Sequence, residues 1–131
     1  MHAALRIISL IILSLVIHFL LGWEWTIIAG VAAGLWFSTS GWLLGGVAVG
    51  AGWLLLVAYN YVIDARAIGV MTETLGSIMG NLPGWAVVGF TLLIGLAIGV
   101  LGGGAGSQIR KLVHKVRSPT THISSSTFHV L

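Results

Sequence analysis

Long apolar runs separated by short polar marks divide this chain. The cleanest run is residues 41–62, GWLLGGVAVGAGWLLLVAYNYV, which holds no Asp, Glu, Lys, Arg or His. A helix of roughly 20 apolar residues crosses the hydrocarbon of a bilayer, so this run is expected to be a membrane span. Residues 5–22, LRIISLIILSLVIHFLLG, form an earlier apolar run behind Arg6 and end at Gly22-Trp23-Glu24-Trp25. The small-x-small pattern of a cleaved leader is missing there, and the two tryptophans suit a membrane interface. The run is therefore expected to stay as the first span.

Two further segments are shorter or more polar. Residues 25–37, extended to 23–38, are at the short limit for a crossing and read as a short span, with a re-entrant arm as the alternative. The turn Ser38-Thr39-Ser40 then leads into the run at 41–62. Residues 64–82, DARAIGVMTETLGSIMGNL, are too polar to span. Ile68, Met71, Leu75, Ile78 and Leu82 step by three or four, which predicts an amphipathic helix lying at the interface. Pro83 suits the start of a new helix. The last span is expected over 85–104, followed by a basic helical extension over 107–117. The fold class predicted is thus all-α and membrane-integral, with four transmembrane helices and an interfacial helix between the third and fourth. Residues 1–117 form that domain and 118–131 an irregular tail.

Composition sharpens this picture. Only 7% of the 131 residues are Asp, Glu, Lys or Arg, against about 25% in a soluble domain. There is no cysteine, which excludes disulfides and thiolate chemistry. The 19 glycines sit inside the apolar runs. Gly30 and Gly34, Gly41 and Gly45, Gly46 and Gly50, and the row Gly95, Gly99 and Gly103 recur at i, i+4, so each set shares a helix face. Small faces let helix backbones approach closely in lipid, and these glycines are the expected helix-packing residues.

Charge gives the topology. With four spans, Arg6, Arg110, Lys111, Lys115 and Arg117 share one side, while Glu24, Asp64, Glu73 and Arg66 lie opposite. The positive-inside rule then places both termini in the cytoplasm of a bacterial or archaeal-type plasma (inner) membrane. Arg110, Lys111, Lys115 and Arg117 are expected to rest on anionic lipid headgroups. The net charge of +3 is explained by insertion, so no nucleic-acid partner is expected.

Candidate chemistry is sparse. His18 is the one ionisable side chain well inside an apolar run, with Ser14 one turn earlier on its face. Such a residue is a functional candidate: a proton relay, or one axial ligand to a haem or chlorophyll-type pigment. The plainer reading is a histidine hydrogen-bonded near the interface. His114, His122 and His129 lack a metal-ligand spacing, and 102-GGGAG-106 lacks the Lys-Ser/Thr of a phosphate loop. No catalytic, metal or cofactor set is expected. The stretches GWLLGG, LPGW and IGVLGGGAGSQIRKL are similar to those of small bacterial membrane proteins with a short first hairpin and a glycine-rich final span. That resemblance implies no activity and no functional residue. The expected role is a non-enzymatic accessory or structural subunit of a larger membrane complex, respiratory, photosynthetic or secretory. It would act through helix packing and a docked tail, with the bilayer and other membrane subunits as partners. The alternative is a homo-oligomeric channel or small transporter.

Overall fold

The computed structural model describes residues 2–37 and 40–117. The expected tail, 118–131, and Ser38 and Thr39 of the expected turn lie outside the described residues. The described chain is helical throughout: α1 (His2–Leu21), a 3-10 turn (Trp23–Thr26), α2 (Ile27–Trp36), α3 (Gly41–Ile78) and α4 (Gly84–Arg117). Three of these, α1, α3 and α4, are long and apolar enough to cross a membrane. The protein is a multi-pass helical membrane protein.

The helices run up and down in sequence order. Along α1 and α3 the contact numbers rise together: Leu10 clusters with Ala48, Ser14 faces Gly52, and Phe19 meets Tyr59. Along α2 and α3 they oppose, with Gly30 beside Gly45 and Gly34 beside Gly41. Along α3 and α4 they oppose again, with Gly45 beside Gly99 and Gly50 beside Leu96. Helix α1 therefore parallels α3, and α2 parallels α4.

The centre of the bundle is built from backbone. A Cβ added at Gly30 would come 2.9 Å from the Gly99 carbonyl oxygen and 3.2 Å from Gly102 Cα. One added at Gly45 would come 2.5 Å from the same oxygen, and one at Gly99 would come 2.8 Å from Gly46 Cα. Helices α2, α3 and α4 thus meet along a single glycine seam. In lipid no hydrophobic gain draws helices together, so van der Waals contact and weak Cα–H···O bonds between close backbones hold such a seam. Around it, Leu10, Ala29, Ala33, Ala48 and Val49 are fully buried.

Helix α3 breaks at Asp64, whose φ of −151° and ψ of 80° are not helical. The carboxylate Oδ1 there accepts the Ala67 backbone N–H at 2.9 Å. Asp64 is thus the N-cap of a second arm, residues 65–78, and satisfies a donor that a helix start leaves free. The break falls where the apolar run at 41–62 ends. The arm stops at two successive left-handed residues, Gly80 (φ 94°) and Asn81 (φ 61°). Glycine and asparagine are the residues that tolerate this conformation. The turn lets Leu82 donate its N–H to the Gly76 carbonyl at 2.9 Å. The Pro83 carbonyl then accepts the first bond of α4, from Ala86 at 2.8 Å.

Segment 23–36 is the short one. Ten residues of α-helix follow the 3-10 turn, a rise of about 15 Å against the ~30 Å of hydrocarbon. Helix α4, at 34 residues, rises about 51 Å and carries its basic end well past the bundle.

Candidate functional site

The shortness of α2 creates the main cavity. Leu56 stands eleven residues after Gly45 on α3, and Thr91 eleven residues before Gly102 on α4. Eleven residues are about three turns, so both side chains continue the faces against which α2 packs. Beyond the end of α2 that groove is unfilled. It becomes a cavity of about 470 Å³ lined by His18, Trp23, Trp53, Leu56, Val57, Asn60, Thr91 and Ile94. Trp23, in the turn that starts the short segment, forms part of its wall. A smaller cavity of about 130 Å³ shares the walls Val57, Asn60 and Thr91 and lies under the second arm, at Ile68, Met71, Thr72 and Leu75.

The polar groups in the main cavity divide into two kinds. Asn60 and Thr91 turn back to their own helices: Asn60 Nδ2 donates to the Leu56 carbonyl at 2.9 Å, and Thr91 Oγ1 donates to the Val87 carbonyl at 3.0 Å. Each bond ties one donor to its own helix, and the Asn60 amide still has an acceptor oxygen and a second N–H. The other kind is unsatisfied. His18 Nδ1 and Trp53 Nε1 are buried without a hydrogen-bond partner, and so is Ser14 Oγ one turn below His18. Trp53 is only 8% exposed. Its ring stands edge-on to the His18 ring, centroids 6.1 Å apart at 76°. On its other side Gly95 makes room for it, since a Cβ at Gly95 would come 2.9 Å from the indole ring. A buried donor left unpaired costs about 1–3 kcal/mol, and an apolar surrounding supplies no water to relieve it.

Sequence reasoning reached His18 and Ser14 and missed Trp53. The signal was present: of the six tryptophans, only Trp53 falls in the middle of an apolar run, whereas Trp23, Trp25, Trp36, Trp42 and Trp85 flank run ends. A tryptophan away from the interface carries an N–H that water cannot reach.

The remaining singled-out residues lie elsewhere. Gly30, Gly34, Gly41, Gly45, Gly46, Gly50, Gly95, Gly99 and Gly103 all face another helix within the molecule. Arg110 reaches the end of α2, with Nη1 donating to the carbonyls of Leu35 at 3.2 Å and Trp36 at 3.4 Å. These are carbonyls that a helix C-terminus leaves free, and a cation suits the negative end of the helix dipole. Lys111 lines a shallow basic cavity with Ser107, Arg110 and His114. Lys115 and Arg117 are exposed in the last turn of α4. The carboxylate of Asp64 serves its own arm. Among the described residues no group of three His, Asp or Glu side chains converges as a metal site.

Comparison with protein-family models, with curated proteins and with solved structures gives no match.

Proposed function

We propose that the chain crosses a bacterial or archaeal-type inner membrane four times, with both termini cytoplasmic. Segment 23–36 is the short second crossing, and the arm 65–78 lies as an amphipathic helix at the outer interface. In this arrangement the protein is a non-enzymatic subunit of a larger membrane complex, and it acts through its helix faces and a docked tail.

The observation that carries this reading is the contrast between the bundle's centre and its outside. The glycine seam packs backbone against backbone, which leaves no lumen between α2, α3 and α4. The outward positions of α1 are apolar almost throughout, including Leu5, Ile8, Ile12, Val16, Phe19 and Leu20. A surface of this kind suits lipid or the apolar faces of other subunits, and a channel would need polar groups along its wall. The alternating helix directions support an even number of crossings, and the sorting of Arg6 and the α4 cations to one end supports the orientation.

The test is purification of the native protein from its own membrane in mild detergent. Co-migration at fixed stoichiometry with other membrane proteins is the expected result, and deletion of 118–131 is expected to loosen that association while the helices remain folded. Migration as a symmetric assembly of this chain alone would replace the subunit reading with the homo-oligomeric channel.

A further inference from the structure

We propose that the cavity formed by Ser107, Arg110, Lys111 and His114 is a site for one anionic phospholipid, held by the phosphate diester of its headgroup. The inference rests on α4 crossing the membrane, and not on which side its end faces or on the subunit reading. The four residues recur at i, i+3, i+4 and i+7, so they share one face of α4. They line a space of about 340 Å³, and Lys115 and Arg117 are not among its described walls. The cations at this end are therefore not equivalent: two share a concave site and two stand outside it.

The donors suit a phosphate. Arg110 Nη1 is committed to the carbonyls of Leu35 and Trp36. A guanidinium has five N–H groups in a planar fork, so Nη2 and Nε keep donors that match phosphate oxygens. The anchorage on α2 also holds the fork in place before a ligand arrives, which lowers the cost of binding. Lys111 adds an ammonium with three donors, and neutral His114 adds one ring N–H. Ser107 Oγ donates to the Gly103 carbonyl at 2.8 Å, and its oxygen keeps lone pairs for a headgroup hydroxyl. The positive charge has no counterpart nearby within the chain. The three acidic side chains are Glu24, Asp64 and Glu73. Glu24 precedes α2, whereas Arg110 binds the end of α2. Asp64 and Glu73 belong to the arm beyond the break, where Thr72 meets Gly84 at the opposite end of α4.

Depth selects a lipid as the source of the phosphate. A Cβ added at Gly103 would come 2.8 Å from Trp42 Cα, and Arg110 bonds the Trp36 carbonyl. The cavity thus begins at the level of two half-exposed tryptophans, Trp36 and Trp42, and tryptophan marks the boundary between hydrocarbon and headgroups. From Ser107 to His114 the helix rises about 10 Å, the zone that headgroup phosphates occupy. A zwitterionic headgroup would bring its own ammonium against Arg110 and Lys111, so the charge selects an anionic lipid.

The test titrates the purified protein, in maltoside micelles, with short-chain phosphatidylglycerol and counts bound lipid by native mass spectrometry. Saturation at one tightly held lipid is expected, and phosphatidylcholine with the same chains is expected to bind at least tenfold more weakly. Lys111→Gln is expected to raise the midpoint about tenfold, the worth of one charge-assisted hydrogen bond. Lys115→Gln removes the same charge from outside the cavity and is expected to change the midpoint less than twofold. Both positions are exposed, and equal melting temperatures without lipid check that both variants fold. Equal weakening by the two variants overturns the site in favour of a diffuse attraction to the whole basic end. Equal binding of phosphatidylcholine overturns the recognition of net charge. Displacement of phosphatidylglycerol by an equal concentration of inorganic phosphate overturns the lipid assignment in favour of a free phosphate site.

Discussion

Gly99 is one methyl group away from disrupting the seam. A Cβ there would meet the backbone of Gly45 and Gly46, with Gly46 Cα at 2.8 Å, and backbone cannot rotate aside as a side chain can. Gly99→Ala is therefore expected to cost about 1–3 kcal/mol as an overpacked contact, and Gly99→Leu to lower the folded yield sharply. Gly89 and Gly104 lie in the same helix with no atom within 4 Å of an added Cβ. There Ala is expected to be neutral or to stabilise by up to about 1 kcal/mol, because glycine is the poorer helix former. Thermal unfolding in detergent compares the three. Equal losses at Gly99 and Gly89 would mean that helix propensity, and not close approach, governs these positions. The i, i+4 spacing marked which glycines share a face. It could not say which face meets which, because that depends on the rotation of each helix about its axis.

At the scale of the element, two short-range devices shape the molecule. Asp64 caps the arm 65–78 through the Ala67 N–H. Asp64→Ala is expected to remove about 1 kcal/mol from the arm's start and to speed amide exchange at Ala65–Ala67, while exchange in the glycine seam stays unchanged. Arg110 binds the last carbonyls of α2 from 74 and 75 residues away. Arg110→Gln is expected to loosen the end of α2, read as faster exchange at Leu35–Phe37. Apolar periodicity located the break near residue 63 and the restart at Pro83, since both coincide with a change of composition. It also showed that segment 23–38 was short. The cavity that this shortness opens was not legible, because it is made by three other helices continuing past a missing one. The Arg110 contact was hidden for a similar reason: a cation at the end of a span satisfies the positive-inside pattern whether it meets lipid or a neighbouring carbonyl.

For the whole molecule, the orientation proposed above predicts that single cysteines at Ser77 and Val116 label from opposite faces of intact cells, Ser77 from outside. Both positions are exposed, and labelling of both from outside would reverse the arrangement of α4. The brevity of α2 also bears on how the protein is made. A helix of ten residues cannot partition into lipid alone, since both its ends would leave unpaired backbone groups in hydrocarbon. Its glycine face acquires a partner only when α3 emerges, and its terminal carbonyls acquire theirs only when Arg110 does. In the four-crossing arrangement proposed above, biosynthesis therefore meets a waiting period: α1 can enter the bilayer as it appears, whereas α2 must be held at the insertion machinery until α3 is ready and is secured only by α4. Chains truncated before α4 are accordingly expected to be cleared by membrane proteases, with α2 the first place they are cut.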